Sequence, residues 1–207
     1  MERVIPRVVF EVLRIPVRNS VISTWVMMAM IVGGVLILRK KAPVVFEMLV
    51  EFTADLAAGF IQRDTGRYVP FLGSLLVFIA VANLIGIVPL MFTPTRDINT
   101  PIALALVVFF AVFVFGIAAK GLGGFAKGFA SPLLPLDLIG YVSRTVSLSV
   151  RLFGNVIGGE MVIAVLFSLA PVGVPLVMVV LSSITGILQA YVFTVLAASY
   201  IASEVND

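Results

Sequence analysis

Arg151 lies inside the oily stretch Ser147-Leu148-Ser149-Val150-Arg151-Leu152-Phe153-Gly154-Asn155, with Glu160 just beyond it, in a chain of which only 12% of residues are charged. A cation at the bilayer centre costs roughly 2.5 to 3.5 kcal/mol on insertion scales, so it is kept where it works on an ion path or meets a carboxylate. A guanidinium holds its charge at any accessible pH and offers five donors. It can repel cations and attract a carboxylate without itself carrying a transported proton. Glutamate, by contrast, can titrate and relay. Arg151 and Asn155 are one helical turn apart and share a face, whereas the spacing to Glu160 puts that acid on the opposite side of the helix. The pattern suits a fixed cation on one face and an acid lining a separate watery cavity on the other.

Two further features accompany these residues. Ser182, Thr185 and Gln189 fall within about 60° of one another on the last apolar segment, a polar stripe from which Gln189 can hydrogen-bond the Arg151 guanidinium if the stripe faces it. Gly154 and Gly158 make a GxxxG spacing that lets another helix approach closely. Plainer readings stand beside each. Arg151 could snorkel to an interface, Glu160 could be a structural partner of Arg144 or Lys127, and the Ser182, Thr185 and Gln189 stripe could simply pack helices. Asn83 reads as packing, and Asp97 as a residue that caps or ends its loop.

Composition sets the class. With 61% hydrophobic residues, and no cysteine or histidine at all, the chain reads as an all-α polytopic membrane protein. Disulfides, thiolate nucleophiles, imidazole metal ligands and imidazole proton relays are excluded, and no cofactor or metal is expected. The net charge of +3 comes from scattered residues and points to juxtamembrane anchoring, not to nucleic acid.

The elements that must position the polar residues follow from hydropathy, within one membrane domain over 1–207. Residues 1–20 form an interfacial amphipathic segment, not a signal peptide. Spans are expected at 21–38, 71–92 and 102–119, with an amphipathic interfacial helix between Pro43 and Arg67. Pro101 is placed at a helix start, and Lys120 to Lys127, rich in glycine, reads as a flexible basic loop. Segments 133–170 and 174–203 are too long to stand upright in a hydrocarbon core about 30 Å thick. They form a strongly tilted or kinked hairpin turned at Pro171 and Gly173. That gives about five membrane-embedded helices. Arg39, Lys40, Lys41, Arg63, Arg67, Lys120 and Lys127 outnumber Arg3, Arg7, Arg14, Arg18 and Arg96 across alternate sides, which sets the N-terminus outside and the C-terminus in the cytoplasm.

The run Pro135-Leu-Asp-Leu-Ile-Gly-Tyr-Val-Ser-Arg-Thr-Val-Ser-Leu-Ser-Val-Arg-Leu-Phe-Gly-Asn155, followed by Glu160, resembles the signature of subunit a of the F-type ATP synthase membrane sector. Asn83-Leu-Ile-Gly-Ile-Val-Pro89, Pro94-Thr-Arg-Asp-Ile-Asn99, Lys120-Gly-Leu-Gly-Gly-Phe125 and Leu188-Gln-Ala-Tyr-Val-Phe-Thr-Val-Leu196 extend the likeness. The resemblance implies a stator subunit with no catalytic site of its own, set in the lipid bilayer beside the c subunits of the rotor ring and the b subunits of the peripheral stalk. H⁺ or Na⁺ would be the transported ion. It implies that Arg151 faces the rotor carboxylates with Gln189 beside it, that Glu160 lines the external half-channel near Asn155, and that Asp137 lies near the cytoplasmic half-channel. Asp97 and Asn99 would lie toward the external entrance. Ser182 stands where many members carry a histidine, so water and Glu160 must suffice or the ion is Na⁺. Thr145 stands where a proline is common, which is expected to alter local helix shape. A bacterial plasma membrane is the implied location. The competing reading is a secondary transporter or channel in which Arg151 binds an anionic substrate.

Overall fold

The computed structural model describes residues 8–12, 15–62, 64–87, 93–129, 134–169 and 173–206. Apart from one ribbon and short connectors, these residues are helical. The ribbon pairs β1 (Val8–Val12) antiparallel with β2 (Ile15–Arg18), within the stretch expected to be interfacial.

Six α-helices follow: α1 (Asn19–Lys41), α2 (Pro43–Ala58), α3 (Val69–Leu84), α4 (Asn99–Phe129), α5 (Leu134–Leu169) and α6 (Val174–Val205). Prolines sit in the first turns of α2, α3 and α6, where the missing N–H breaks no intrahelical bond. The last turn of α1 carries Arg39, Lys40 and Lys41, which complement the negative end of the helix dipole. Among the described residues, four helices are long and apolar enough to cross a membrane, and α3 is a shorter apolar helix. The protein is a polytopic helical membrane protein.

Two expectations need correction. The second span was expected to run to residue 92, but α3 ends at Leu84 and passes into a 3-10 turn at Ile85–Ile87. Residues 88–92 lie outside the described residues. The basic stretch expected to be a loop after Ala119 is helical instead. α4 continues to Phe129 with a single break at Gly121, where φ is 73° and ψ 163°. That backbone geometry is open to glycine alone, so one residue absorbs the whole change of direction.

α5 and α6 are 36 and 32 residues long, hence about 54 and 48 Å. Both exceed the hydrocarbon thickness and must incline. Gly173 precedes α6 with φ 87° and ψ −64°, a backbone conformation that favours glycine.

Lipid is as apolar as leucine, so these helices gain little from hiding side chains and associate through close packing and hydrogen bonds. α6 supplies the small residues that allow it. Ala190, Ala197, Ala198 and Ala202 line its inner face with the fully buried Phe193 and Ile201. Against them pack Leu72, Leu75 and Ile79 of α3, Val108 and Val112 of α4, and Leu148 and Leu152 of α5. α1 joins at the edge through the fully buried Met27, against Ala82 and Ile85. The far end of α6 is pinned by Asn206, which accepts from the Gln62 N–H at 3.1 Å and donates to the Phe60 carbonyl at 2.9 Å.

Candidate functional site: two polar clusters and an exposed arginine on α5

α5 carries the polar residues in three places. Near its middle, Arg151 is exposed, on a stripe with Ser147, Gly154 and Gly158 that no other helix covers among the described residues. Neither glycine has an atom within 4 Å of where a Cβ would stand. Among the described residues the GxxxG spacing therefore serves no helix contact. Arg151 pairs with no carboxylate among the described residues.

Glu160 lies on the other face, as the helical spacing requires. Its Oε2 is 2.9 Å from Arg96 Nε, and the Thr93 hydroxyl donates to the same carboxylate. Arg96 belongs to the 3-10 turn Pro94–Arg96 between α3 and α4. Of the two basic residues offered in the plainer reading of Glu160, Arg144 is engaged elsewhere, and the side chain of Lys127 lies outside the described residues. The turn is tied down by its neighbours. Thr95, fully buried, donates to Asn83 Oδ1 at 2.9 Å, and Asn83 Nδ2 donates to the Gly186 carbonyl of α6 at 3.0 Å. Thr93 Oγ1 occupies the space a Cβ on Gly86 would need.

Ser182 of α6 joins this neighbourhood. Its Oγ would stand 2.9 Å from a Cβ on Gly159, so the helix pair approaches closely at Gly159 and not at Gly154 or Gly158. Asp97, buried, caps the start of α4 by accepting from the Asn99 N–H at 3.2 Å and the Asn99 side chain at 2.9 Å. Asn99 is exposed and Asn155 half-buried.

At the other end of α5 the Tyr141 hydroxyl donates to Glu204 Oε1 of α6. Arg144 reaches Ser203 Oγ at 3.4 Å and lies over the rings of Tyr141 and Tyr200 at 5.8 and 5.2 Å. Asp137 occupies the first turn of α5, and its side chain lies outside the described residues. Thr145 bonds back to the Tyr141 carbonyl at 2.9 Å, and α5 runs on as helix past it.

The polar stripe on α6 does not act as one surface. Thr185 is exposed and returns its hydroxyl to the Leu181 carbonyl at 2.6 Å, while Gln189 is buried with Nε2 unpartnered. Gln189 makes no hydrogen bond to Arg151. The sequence alone gives Arg96, Thr93, Tyr141 and Glu204 no site role, and offers Arg144 only as a partner of Glu160. The Tyr141–Glu204, Arg144–Ser203 and Arg96–Glu160 contacts join residues at least 59 positions apart, and no helical periodicity signals such a contact.

A family profile described as the ATP synthase A chain matches residues 20–202. The chain belongs to the ATP synthase subunit a family. It is 38% identical over 208 residues to ATP synthase subunit a 2 of a Bradyrhizobium strain, covering 96% of this chain and 93% of that one. It is 36% identical to ATP synthase subunit a of Moorella thermoacetica, over 100% of this chain and 99% of the relative. It is 39% identical to ATP synthase subunit a of Albidiferax ferrireducens, over 89% and 85%. Membership in the subunit a family and the apolar helices together make this a multi-pass membrane component of the ATP synthase.

Proposed function

We propose that this chain is the stator that carries ions to and from a rotating ring of c subunits, through two aqueous half-channels separated by Arg151. One observation carries the reading. The exposed Arg151 stands midway along α5 between the Tyr141–Glu204 cluster and the Arg96–Glu160 cluster, about 15 Å from the first and 13.5 Å from the second along the helix axis. Charged residues inside membrane segments almost always face a bundle interior or a watery cavity and pair there, and a rotor carboxylate would supply that partner for Arg151.

In this account ions enter past Asp97, Asn99 and Glu160, with Ser182 and Asn155 lining the same external half-channel. They neutralise a rotor carboxylate, ride the ring through lipid, and leave on the side of Asp137 and Glu204. The Arg151 charge stabilises the ionised rotor carboxylate as it passes and bars direct leakage between the half-channels. Gln189, one buried donor short of a partner, would turn to the carboxylate that docks beside Arg151. One charge moved through 100 mV is worth about 2.3 kcal/mol, so several ions per turn can drive synthesis elsewhere in the complex. The peripheral-stalk b subunits would hold the chain against rotation in a bacterial plasma membrane, N-terminus outside and C-terminus in the cytoplasm.

The test is ATP-driven ion uptake by the whole complex in sealed vesicles, with Na⁺ varied and an uncoupler present or absent. Na⁺ dependence that survives the uncoupler names sodium, and uncoupler-sensitive acidification names protons. ATP turnover with no ion movement of either kind would overturn the reading.

A further inference from the structure

Arg96 lies outside the long apolar helices, in a turn between α3 and α4, yet its guanidinium ends on α5. Nε stands 2.9 Å from Glu160 Oε2, with the two side chains 17% and 33% exposed. The turn that roots it is held without help from this ion pair: Thr95 is bonded to Asn83, itself bonded to α6, and Thr93 is pressed against Gly86. Glu160 is held at its carboxylate, by the Arg96 guanidinium and by the Thr93 hydroxyl of the same turn. A glutamate freely sampling its rotamers loses roughly 1.5 to 2 kcal/mol of side-chain entropy when it is fixed, so something must hold it if its carboxylate is to stay in one place. Arg151 cannot, because it faces the other way. A guanidinium fixes the direction of the carboxylate as well as its charge, which an ammonium does not.

The ion pair has a second consequence. A bare carboxylate at membrane depth would hold a passing cation too tightly to conduct, since conduction requires binding weak enough to leave. A tethered guanidinium competes for the same oxygens and returns when the cation departs.

We propose that Arg96 is the positioning residue for Glu160, fixing its carboxylate at the mouth of the external half-channel and exchanging with each cation that passes. The proposal rests on the reading of Glu160 as a half-channel residue. It is tested in sealed vesicles holding the whole complex, by ATP-driven ion uptake per assembled complex for Arg96→Gln, Arg96→Lys, Glu160→Gln and the double variant Arg96→Gln/Glu160→Gln. Arg96→Gln is expected to lower uptake several-fold, Arg96→Lys to restore part of the loss, and the double variant to match Glu160→Gln alone, because coupled residues are not additive. Where Glu160→Gln leaves no measurable uptake, Glu160→Asp takes its place in the cycle. Native uptake by Arg96→Gln, or an equal fractional loss with and without Glu160, would overturn the proposal. So would an Arg96→Gln complex that fails to assemble alongside an Arg96→Lys complex of fully native rate, which would make Arg96 an assembly residue. Native uptake by Glu160→Gln alone would instead remove the half-channel role of Glu160.

Discussion

Arg151 and Glu160 stand on one unbroken helix and face opposite ways, Arg151 exposed among Ser147, Gly154 and Gly158, Glu160 turned inward onto Arg96. The fixed cation therefore sits on a surface that the described residues leave open, while the acid sits on one the chain builds for itself. The two faces of α5 can be perturbed separately, and the consequences should differ in kind.

The glycines of α5 make that separation measurable. A Cβ on Gly159 would stand 2.9 Å from Ser182 Oγ, whereas Gly154 and Gly158 meet nothing within 4 Å. Gly159→Leu is expected to cut the yield of assembled complex, with Ser182→Gly recovering part of it. Gly154→Leu is expected to leave the chain folded and inserted but to lower coupled uptake, because it thickens the face that the rotor would meet. Equal losses of yield from both substitutions would show that the outer stripe is a packing surface after all.

Asn83 is expected to matter for stability more than for transport. It bridges Thr95 and the Gly186 carbonyl, and Asn83→Leu removes both bonds. Side-chain hydrogen bonds between membrane helices average about 0.6 kcal/mol and reach about 1.7, so a loss of roughly 1 to 2 kcal/mol is expected. An SDS unfolding titration of the purified chain reads it directly, and an unshifted midpoint would contradict the bridge.

The Tyr141–Glu204 bond joins α5 to α6 at the end of the hairpin away from Arg96. A hydrogen bond to a charged group contributes about 1.5 to 3 kcal/mol, so Tyr141→Phe should destabilise by that order. In a Glu204→Ala background the same substitution should cost far less. Full additivity in this cycle would mean that the two side chains do not share a bond.

What the sequence made legible follows what membrane physics constrains locally. The run Val21 to Leu38 holds no charged residue and becomes the body of α1, and the excessive length of the last two segments already pointed to the inclined pair α5 and α6. The opposite facing of Arg151 and Glu160 follows from 100° per residue and needed no tertiary information. The stretch after Ala119 misled because its glycines suggest a loop, while the chain needs only Gly121 to leave helical geometry. The partner of Glu160 stayed hidden for another reason. Arg96 lies in a connector 64 positions upstream, and only the folding of α3 and α6 around Asn83 brings that connector to α5. The stripe of Ser182, Thr185 and Gln189 straddles the edge of a packed face, so residues that share an angle on the helix end in different surroundings.

The central claim is that Arg151 keeps the two half-channels apart while acting on a carboxylate supplied by the rotor. Its most direct measurement compares native and Arg151→Ala complexes in sealed vesicles, following ATP-driven uptake and passive ion leak in the same preparation. Coupled uptake is expected to vanish in Arg151→Ala, with passive leak unchanged or raised and ATP hydrolysis no longer tied to ion movement. Coupled uptake retained at the native rate would contradict the account and leave Arg151 without the role assigned to it.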